Sequence, residues 1–389
     1  MNRKMKITIN IYLFFVLFGI AKTIIGPVMP HLINDYSVTL GTAGLLLSLL
    51  SFGRLLSVSW ATVWLDKVGP DKILILGALC ITGGLAGFAL SVWWSLHLLF
   101  IVLIGIGFGF LGTSSNALIA GIYVKEQGNA LNRMHMFFGI GSLLGPIGAG
   151  LLLYRNYSWR IIFGLAFIFS LISLLWAFFQ NIPEINNKEE AEDNSDNKFK
   201  IRLKKLVHSP LFFLLAVIMF VYIGVGNGLI GWMNKYLGDT FAFSDFFASG
   251  FLAIYTLGIT SGRFVYSYIS DNLGYKKSIL LGAVGSFISI TVAVFSSTSL
   301  IILLGFGFTG FFLAGLFPTC IAYGSRVFPE MLGTISSALI FSSVLGGIIV
   351  PYIMGIISEF YGLRGGMITT VIFSIFLVIA SGLLFKFDY

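Results

Sequence analysis

The sequence predicts an all-α membrane protein of twelve transmembrane helices, arranged as two pseudo-symmetric six-helix bundles. Three observations predict this fold class: an apolar composition, twelve separate apolar runs and a duplicated set of loop and helix patterns. Of the 389 residues, 57% are hydrophobic and only 10% are charged, whereas soluble domains carry about 25% charged residues. The composition therefore argues strongly against a soluble fold.

The apolar runs give the number of spans. They begin near residues 8, 41, 73, 97, 131, 159, 209, 244, 277, 299, 333 and 364. A bilayer core about 30 Å thick needs roughly 20 apolar residues per helix, and these runs have that length. They are too long and too uniformly apolar for barrel strands, so we expect helices. The first run lacks a cleavage pattern and is expected to remain as a span.

One segment near the middle of the chain interrupts the apolar pattern. Its first half is acidic and rich in Asn, a composition that buries too little apolar area to fold. Its second half, residues 198–205, alternates basic and apolar residues and is predicted to lie on the anionic inner leaflet as an interfacial helix. We therefore predict one bundle at residues 1–181, a cytoplasmic linker at 182–208 and a second bundle at 209–389.

The two predicted bundles share sequence landmarks. GIGFGF at 105–110 recurs as GFGFTGFF at 305–312, and WLDKVGPDK at 64–72 recurs as YISDNLGYKK at 268–277. A repeat of this size is typical of transporters built from two pseudo-symmetric halves, which bind their solute near the bilayer midplane.

The distribution of cations predicts the orientation in the membrane. Cytoplasmic loops of membrane proteins carry an excess of Lys and Arg. If both termini are cytoplasmic, the outer side carries only Arg155, Arg160, Lys235 and Arg364. The sequence thus predicts a multi-pass protein of the cell (inner or plasma) membrane with both termini in the cytoplasm. The net charge of +8 reflects this bias and does not indicate a nucleic-acid partner.

The ionisable residues inside the spans are all basic. The sixteen acids fall in predicted loops, tails or span ends, whereas Lys22 and Arg54 lie deep in the first two spans. An ionisable residue in hydrocarbon costs roughly 2.5–3.5 kcal/mol on insertion scales and is by default a functional candidate. A core with cations and no carboxylate suggests an anionic or hydrogen-bonding solute. Pairing with neighbouring helices is the structural alternative for both residues.

Further polar and aromatic residues within the spans complete the predicted substrate site. His135 is the first candidate for any proton coupling, because histidine alone titrates near neutral pH when unperturbed. The remaining candidates are Asn116 and Asn132 in the first half, and Tyr222, Asn227 and Trp232 on the seventh span. Three glycines around Asn227 could interrupt that helix. Packing is the alternative role for each of these residues.

The loop between the second and third spans resembles the signature loop of the major facilitator superfamily, G-x-x-x-D-R/K-x-G-R/K-x-R/K. The first copy offers Asp66, Lys67, Gly69 and Lys72, with Ala61 or Thr62 in place of the leading Gly; the second offers Asp271, Gly274, Lys276 and Lys277. The resemblance covers the whole chain in span number, linker position and duplicated loop. It implies that Asp66 and Asp271, with their basic neighbours, form a conformational latch.

Within that superfamily, FGIAKTIIGPVMPHL at 18–32 and two segments of the fourth and fifth spans are similar to the fucose and glucose permease branch. Fucose permease carries proton-coupling carboxylates in its first and fourth spans, and those positions fall on Gly26 and Gly112 here. Proton symport by that mechanism is therefore not expected. Part of the Gly-Pro motif of efflux antiporters is also present: Gly141, Gly145, Pro146 and Gly150, with Asn132 replacing its leading Gly.

These patterns predict a secondary transporter that moves a small polar solute, a sugar or an anionic metabolite, by alternating access. Export of drugs or of a lipid-like amphiphile is the alternative. No hydrolase, metalloprotease or nucleotide-binding motif is present, so an enzyme is not expected. We expect no cofactor and no metal site. The expected partners are the solute, protons or another coupling ion, and the lipid bilayer, and the expected working state is a monomer.

Overall fold

The computed structural model describes residues 3–180, 206 and 208–387. Almost all of the predicted linker at 182–208 lies outside these residues, as do the side chains of Asp66 and Asp271. The described chain consists of α-helices with three short 3₁₀ turns. The α-helices are α1 (Arg3–Thr23), α2 (Ile25–Tyr36), α3 (Leu40–Val68), α4 (Pro70–Leu90), α5 (Trp94–Ile122), α6 (Gln127–Tyr154), α7 (Trp159–Phe179), α8 (Pro210–Phe241), α9 (Asp245–Leu273), α10 (Tyr275–Phe295), α11 (Ser299–Leu313), α12 (Leu316–Val327) and α13 (Leu332–Leu383).

The helices account for the twelve predicted spans within the described part of the chain. Ten helical segments there are long and apolar enough to cross a membrane. The last of them contains α13, whose 52 residues are divided in two by the non-helical backbone of Gly362, so it supplies two crossings. The more polar α9, with 29 residues, is also long enough to cross. The first span is formed by α1 with α2, and the tenth by α11 with α12.

The chain forms two compact units. The first contains the described part of residues 1–187 together with 233–253, the end of α8 and the start of α9. The second contains the described part of 188–232 together with 254–389. The predicted domain boundaries at residues 182 and 208 remain a prediction.

Within the first unit, α1 and α6 approach closely enough for their backbones to touch. A Cβ atom placed on Gly141 would lie 2.0 Å from the carbonyl oxygen of Val16. The second unit repeats this contact between α8 and α13, where a Cβ on Gly346 would lie 1.9 Å from the carbonyl oxygen of Phe220. Small residues at crossings allow such packing, which drives helix association where lipid supplies no hydrophobic force.

A second pair of crossings follows the same repeat. A Cβ on Gly105 would lie 2.2 Å from the carbonyl oxygen of Leu50, joining α5 to α3. A Cβ on Gly310 would lie 2.2 Å from the carbonyl oxygen of Tyr255, joining α11 to α9. Both glycine pairs are offset by the same interval, since 310 − 105 and 346 − 141 each give 205. The prediction of two pseudo-symmetric bundles is confirmed.

The duplicated loops contain the same turn. Gly69 alone separates α3 from α4, with φ 95° and ψ 149°, and Gly274 alone separates α9 from α10, with φ 83° and ψ 151°. This backbone region is accessible almost exclusively to glycine. The glycine of each signature-like loop is therefore required by the reversal of chain direction.

We expect Gly274→Ala to destabilise the protein by about 1–3 kcal/mol, the usual cost of holding a side chain in such a conformation. A Cβ on Gly274 would meet no atom within 4 Å, so conformational strain is the only penalty. The melting temperature of the purified protein in detergent measures the effect. Gly382→Ala is the matched control, because Gly382 is helical and also faces open space. Equal melting temperatures for the two variants would contradict this account.

Two arginines cap equivalent helix ends in the two units. Arg160 donates to the carbonyl of Ala89 at 3.1 Å, to that of Ser91, and to the hydroxyl of Tyr36 at 2.8 Å. Arg364 donates to the carbonyl of Phe295 at 3.3 Å. A guanidinium at a helix C-terminus satisfies the last carbonyls and interacts favourably with the helix dipole. These contacts give both arginines a structural role at the ends of α4 and α10.

Candidate functional site

Lys22 lies near the middle of the first span. It occupies the last turn of α1, and the backbone stays helical through Ile24 into α2, where Val28 donates to the carbonyl of Ile24. Its side chain is half-buried.

An aromatic cluster lies where α1 meets α5 and α6. It consists of Phe15 and Phe18 of α1, Phe108 of α5 and Phe138 of α6. The ring of Phe18 stacks on Phe108 of α5, with centroids 4.2 Å apart, and meets Phe138 of α6 edge-on at 5.2 Å. Lys22 follows Phe18 by four residues, which places both side chains on one face of α1. Closely packed aromatic rings lower the local dielectric constant, which strengthens a charge interaction made beside them.

His135 is the predicted site residue of the first unit with a described contact to this cluster. Its imidazole meets the ring of Phe15 edge-on at 5.4 Å and is exposed. Asn132, also exposed, precedes His135 by one helical turn on α6. Asn116 is exposed on α5, eight residues after Phe108. Lys22 and these three residues all belong to the first unit, and their joint role in one site remains a prediction.

Gly112, which the sequence resemblance aligns with the fourth-span carboxylate of fucose permease, lies beside this cluster. A Cβ on Gly112 would lie 3.8 Å from the Phe18 ring, at ordinary contact distance.

Arg54 lies in the same unit, on α3. Its side chain is exposed, and its backbone packs on α5, where Cβ atoms on Gly105 and Gly109 would lie within 3.1 Å of Arg54 backbone atoms. Gly105, Gly109 and Asn116 are separated by four and seven residues, so they lie on one face of α5. Arg54 is therefore next to the α5 face that bears Asn116, and its role in binding remains a prediction.

The candidates of the second unit are mostly packed inside it. Tyr222 is buried, with its ring 6.3 Å from that of Phe317. Trp232 is 1% exposed and donates from Nε1 to the carbonyl of Pro351 at 3.0 Å, a contact that joins α8 to α13. This contact gives Trp232 a structural role, so the proposed site does not include it. Asn227 is half-buried.

The expected interruption of the seventh span is wrong. The helix α8 is continuous from Pro210 to Phe241. Gly224 and Gly228 face α13, where added Cβ atoms would lie 2.5 Å from Val350 and 2.3 Å from Met354. The glycines around Asn227 are used for close helix packing, not for breaking the helix.

One contact between a histidine and an aspartate in the first unit has no counterpart among the sequence predictions. Nε2 of His31, near the end of α2, lies 3.2 Å from Oδ2 of Asp245, the first residue of α9, at ion-pair distance without hydrogen-bond geometry. Both side chains are about one-third exposed. The two residues are 214 positions apart (245 − 31), and no local pattern links them.

The structure describes the side chains of only some of the predicted latch residues. Lys67, Lys72 and Lys277 are exposed, and Lys276 donates from Nζ to the carbonyl of Phe387. Because the carboxylates of Asp66 and Asp271 are outside the described side chains, the latch stays a prediction.

Two six-helix units with a repeat of about 205 residues, and polar residues within the spans, define a secondary transporter of solutes. The sequence model of the Major Facilitator Superfamily matches residues 11–260 and 229–389. The chain therefore belongs to this superfamily, as its signature-like loops predicted. It is a multi-pass membrane protein that transports a small-molecule solute and is not an enzyme.

Several characterised relatives are similar over most of their length. The sialic acid transporter NanX of Escherichia coli (strain K12) is 27% identical over 82% of this chain and 78% of its own. Multidrug resistance protein 2 of Bacillus subtilis (strain 168) is 24% identical, with coverages of 90% and 87%. The glucose/mannose transporter GlcP of the same organism is 21% identical, with coverages of 88% and 86%.

Solved structures support the fold. A single-residue mutant of the nucleoside transporter NupG superposes with a TM-score of 0.84 at 14% identity, covering 99% of both chains. A single-residue mutant of the fucose:proton symporter FucP of E. coli superposes with a TM-score of 0.66 at 16% identity, covering 100% of both chains. At these identities the likeness concerns the fold.

Proposed function

We propose that the protein transports a small acidic solute, such as a carboxylate-bearing sugar or a related organic acid. Lys22 would bind the carboxylate. The observation that carries this proposal is that Lys22, one turn beyond Phe18, and His135, in contact with Phe15, lie on either side of one packed aromatic cluster, with Asn116 and Asn132 exposed in the same unit. Every charged or titratable group of this set is basic.

Electrostatics support an anion at this position. A carboxylate bound to an ammonium beside packed aromatic rings makes a charge-assisted hydrogen bond, which is roughly twice as strong as a neutral one. The exposed amides of Asn116 and Asn132 supply donors and acceptors that suit hydroxyl groups. This combination suits a solute with one carboxylate and several hydroxyls.

The relatives agree with a solute of this chemistry. NanX is named for sialic acid, a carboxylated sugar, and GlcP for neutral sugars. A sugar that carries a carboxylate would account both for the basic residues of the proposed site and for the similarity to sugar permeases. The similarity to Multidrug resistance protein 2 supports the alternative of export. However, Gly141 and Gly145, which match the efflux motif, pack against α1 and need no role in export.

We assign proton coupling, if the transport is coupled, to His135. Glycine occupies both positions that would carry the coupling carboxylates of fucose permease, and His135 is the titratable group exposed in the proposed site. The imidazole contacts Phe15, about 10 Å along α1 from Lys22, so its charge would act on a bound anion across the aromatic cluster.

The proposed orientation follows from the charges at the two ends of each unit. In the first unit, Lys67, Lys72, Lys125 and Arg133 flank the α3–α4 and α5–α6 connections. In the second, Lys276, Lys277 and Arg326 lie together at one end, and Arg364 lies at the other. The positive-inside rule supports a cytoplasmic position for these basic ends, and we propose that both termini lie there.

In proteoliposomes we expect uptake of labelled sialic acid to exceed uptake of glucose by about tenfold or more, equivalent to about 1.4 kcal/mol in discrimination. Unlabelled small carboxylates should compete, and ethidium should not be transported. An imposed pH gradient should accelerate uptake in the wild type but not in His135→Gln if coupling uses this residue. Transport of glucose alone would restore a neutral-sugar permease, and transport of ethidium alone would establish export.

A further inference from the structure

The second unit contains a basic cavity that includes Lys276 and Lys277 of the predicted latch and lies outside the proposed solute site. Its volume is about 620 Å³. It is bounded by the turn from α9 to α10, by the end of α12 and by Phe385 near the end of the described chain. All of these residues belong to the second unit, so the cavity is a feature of this unit alone.

Three cations line this cavity: Lys276, Lys277 and Arg326. Among the described residues that line it, none is acidic. Lys276 uses one of its N–H groups on the carbonyl of Phe387, and the guanidinium of Arg326 lies 6.0 Å from the ring centre of Tyr275. Glu330 follows the lining residue Pro329 and is exposed. The cavity thus concentrates positive charge from two helices.

The start of α10 places two of these cations at an electrostatically unfavourable position. Lys276 and Lys277 are the second and third residues of α10, whose first turn has no acidic residue and no side-chain cap. The N-terminus of a helix carries a partial positive charge and favours anions. The equivalent helix of the first unit, α4, has Asp71 in its first turn, and Asp71 is the counterpart of Lys276 (276 − 71 = 205). The second unit therefore has a cation where the first unit has an anion.

Local rules of protein structure are violated mainly at functional sites. Two lysines at the positive end of a helix are such a violation, and a bound anion would offset their repulsion from the helix dipole. Phosphate is the anion that satisfies clustered Lys and Arg together with backbone N–H groups. The apolar lining residues Leu273 and Phe385 are both about two-fifths exposed, as expected beside acyl chains. Basic pockets at the ends of transmembrane helices are typical sites for anionic lipid head groups.

We propose that this cavity binds a phosphate group, and that the exposed Leu273 and Phe385 favour phosphate carried by an anionic phospholipid. In this proposal Lys277 of α10 and Arg326 of α12 bind the phosphate together with the first backbone N–H groups of α10. Asp271, whose side chain lies outside the description, precedes the cavity by two residues in sequence; an Asp271 carboxylate inside the cavity would prevent phosphate from binding.

The test uses the full-length protein, purified in detergent and stripped of lipid. We expect phosphatidylglycerol to raise the melting temperature more than phosphatidylcholine does. In Lys276→Gln/Lys277→Gln/Arg326→Gln, the Kd for phosphatidylglycerol should rise about tenfold or more. The control Lys4→Gln/Lys6→Gln/Lys125→Gln removes the same charge from the first unit and should bind like the wild type. Inorganic phosphate, compared with chloride at equal ionic strength, distinguishes a soluble phosphate from a lipid.

Stabilisation by phosphatidylglycerol alone would support the lipid, and stabilisation by inorganic phosphate as well would extend the site to soluble phosphates. Equal behaviour of the two triple variants would overturn the proposal. So would a wild type that prefers neither phosphatidylglycerol over phosphatidylcholine nor inorganic phosphate over chloride. If the cavity triple variant does not fold, Lys277→Glu provides the second measurement. It supplies an anion to the first turn of α10, so we expect an unchanged or higher melting temperature without ligand and a smaller phosphatidylglycerol shift.

Discussion

Replacing Lys22 with Met is expected to reduce uptake of an acidic solute by about 100-fold, because truncating one partner of a buried, hydrogen-bonded charge pair costs about 2–5 kcal/mol. Met has a similar length and no charge, so it fills the half-buried position without a desolvation penalty. The protein should therefore remain folded. Counterflow of labelled sialic acid in proteoliposomes, together with the melting temperature in detergent, measures transport and folding separately.

Two further variants separate solute binding from structural bracing at this position. Lys4→Met removes an exposed cation from the opposite end of α1 and should leave transport unchanged. Lys22→Arg keeps the charge but changes its geometry, so we expect partial activity. A folded Lys22→Met that still transports sialic acid at the wild-type rate would remove Lys22 from the site. A large loss of thermal stability in Lys22→Met would show that Lys22 has a structural role in holding neighbouring helices together.

Much of the fold could be predicted because its signals are local in sequence. Hydropathy alone places the spans, since every backbone polar group in lipid must be satisfied within a helix. The loops that contain Gly69 and Gly274 were also visible as breaks between apolar runs, and the structure adds that each glycine forms the turn with a positive φ. The duplicated loops then revealed the two halves.

The details of the site could not be predicted, because they depend on which helices touch. The glycines around Asn227 have the composition of a helix break, but Val350 and Met354 of α13 pack against them and the helix continues. Trp232 has the chemistry of a stacking residue, but its bond to the Pro351 carbonyl holds it between helices. The contact of His31 with Asp245 joins residues that have no sequence relation.

The closest helix contacts give the second large effect: we expect Gly141→Leu to prevent formation of a stable protein. A Cβ at this position would already lie 2.0 Å from the Val16 carbonyl oxygen, and on the facing helix a Cβ on Gly19 would lie 2.3 Å from that of Phe138. Backbone atoms cannot move aside as a flexible side chain can. Overpacking typically costs 1–3 kcal/mol and occasionally more, and Leu here must separate α1 from α6 along their whole crossing. The yield of monodisperse protein after detergent extraction measures the loss.

The control for this variant lies on the same helix. Gly148 of α6 faces open space, so Gly148→Leu should give a normal yield. Because the second unit repeats the crossing at Gly346, with a Cβ distance of 1.9 Å to the Phe220 carbonyl, Gly346→Leu should fail as Gly141→Leu does. Failure of both variants beside a normal Gly148→Leu would show that each half depends on the same backbone contact. Normal folding of Gly141→Leu would mean that α1 and α6 tolerate a wider separation, and the close approach would then not be needed for stability.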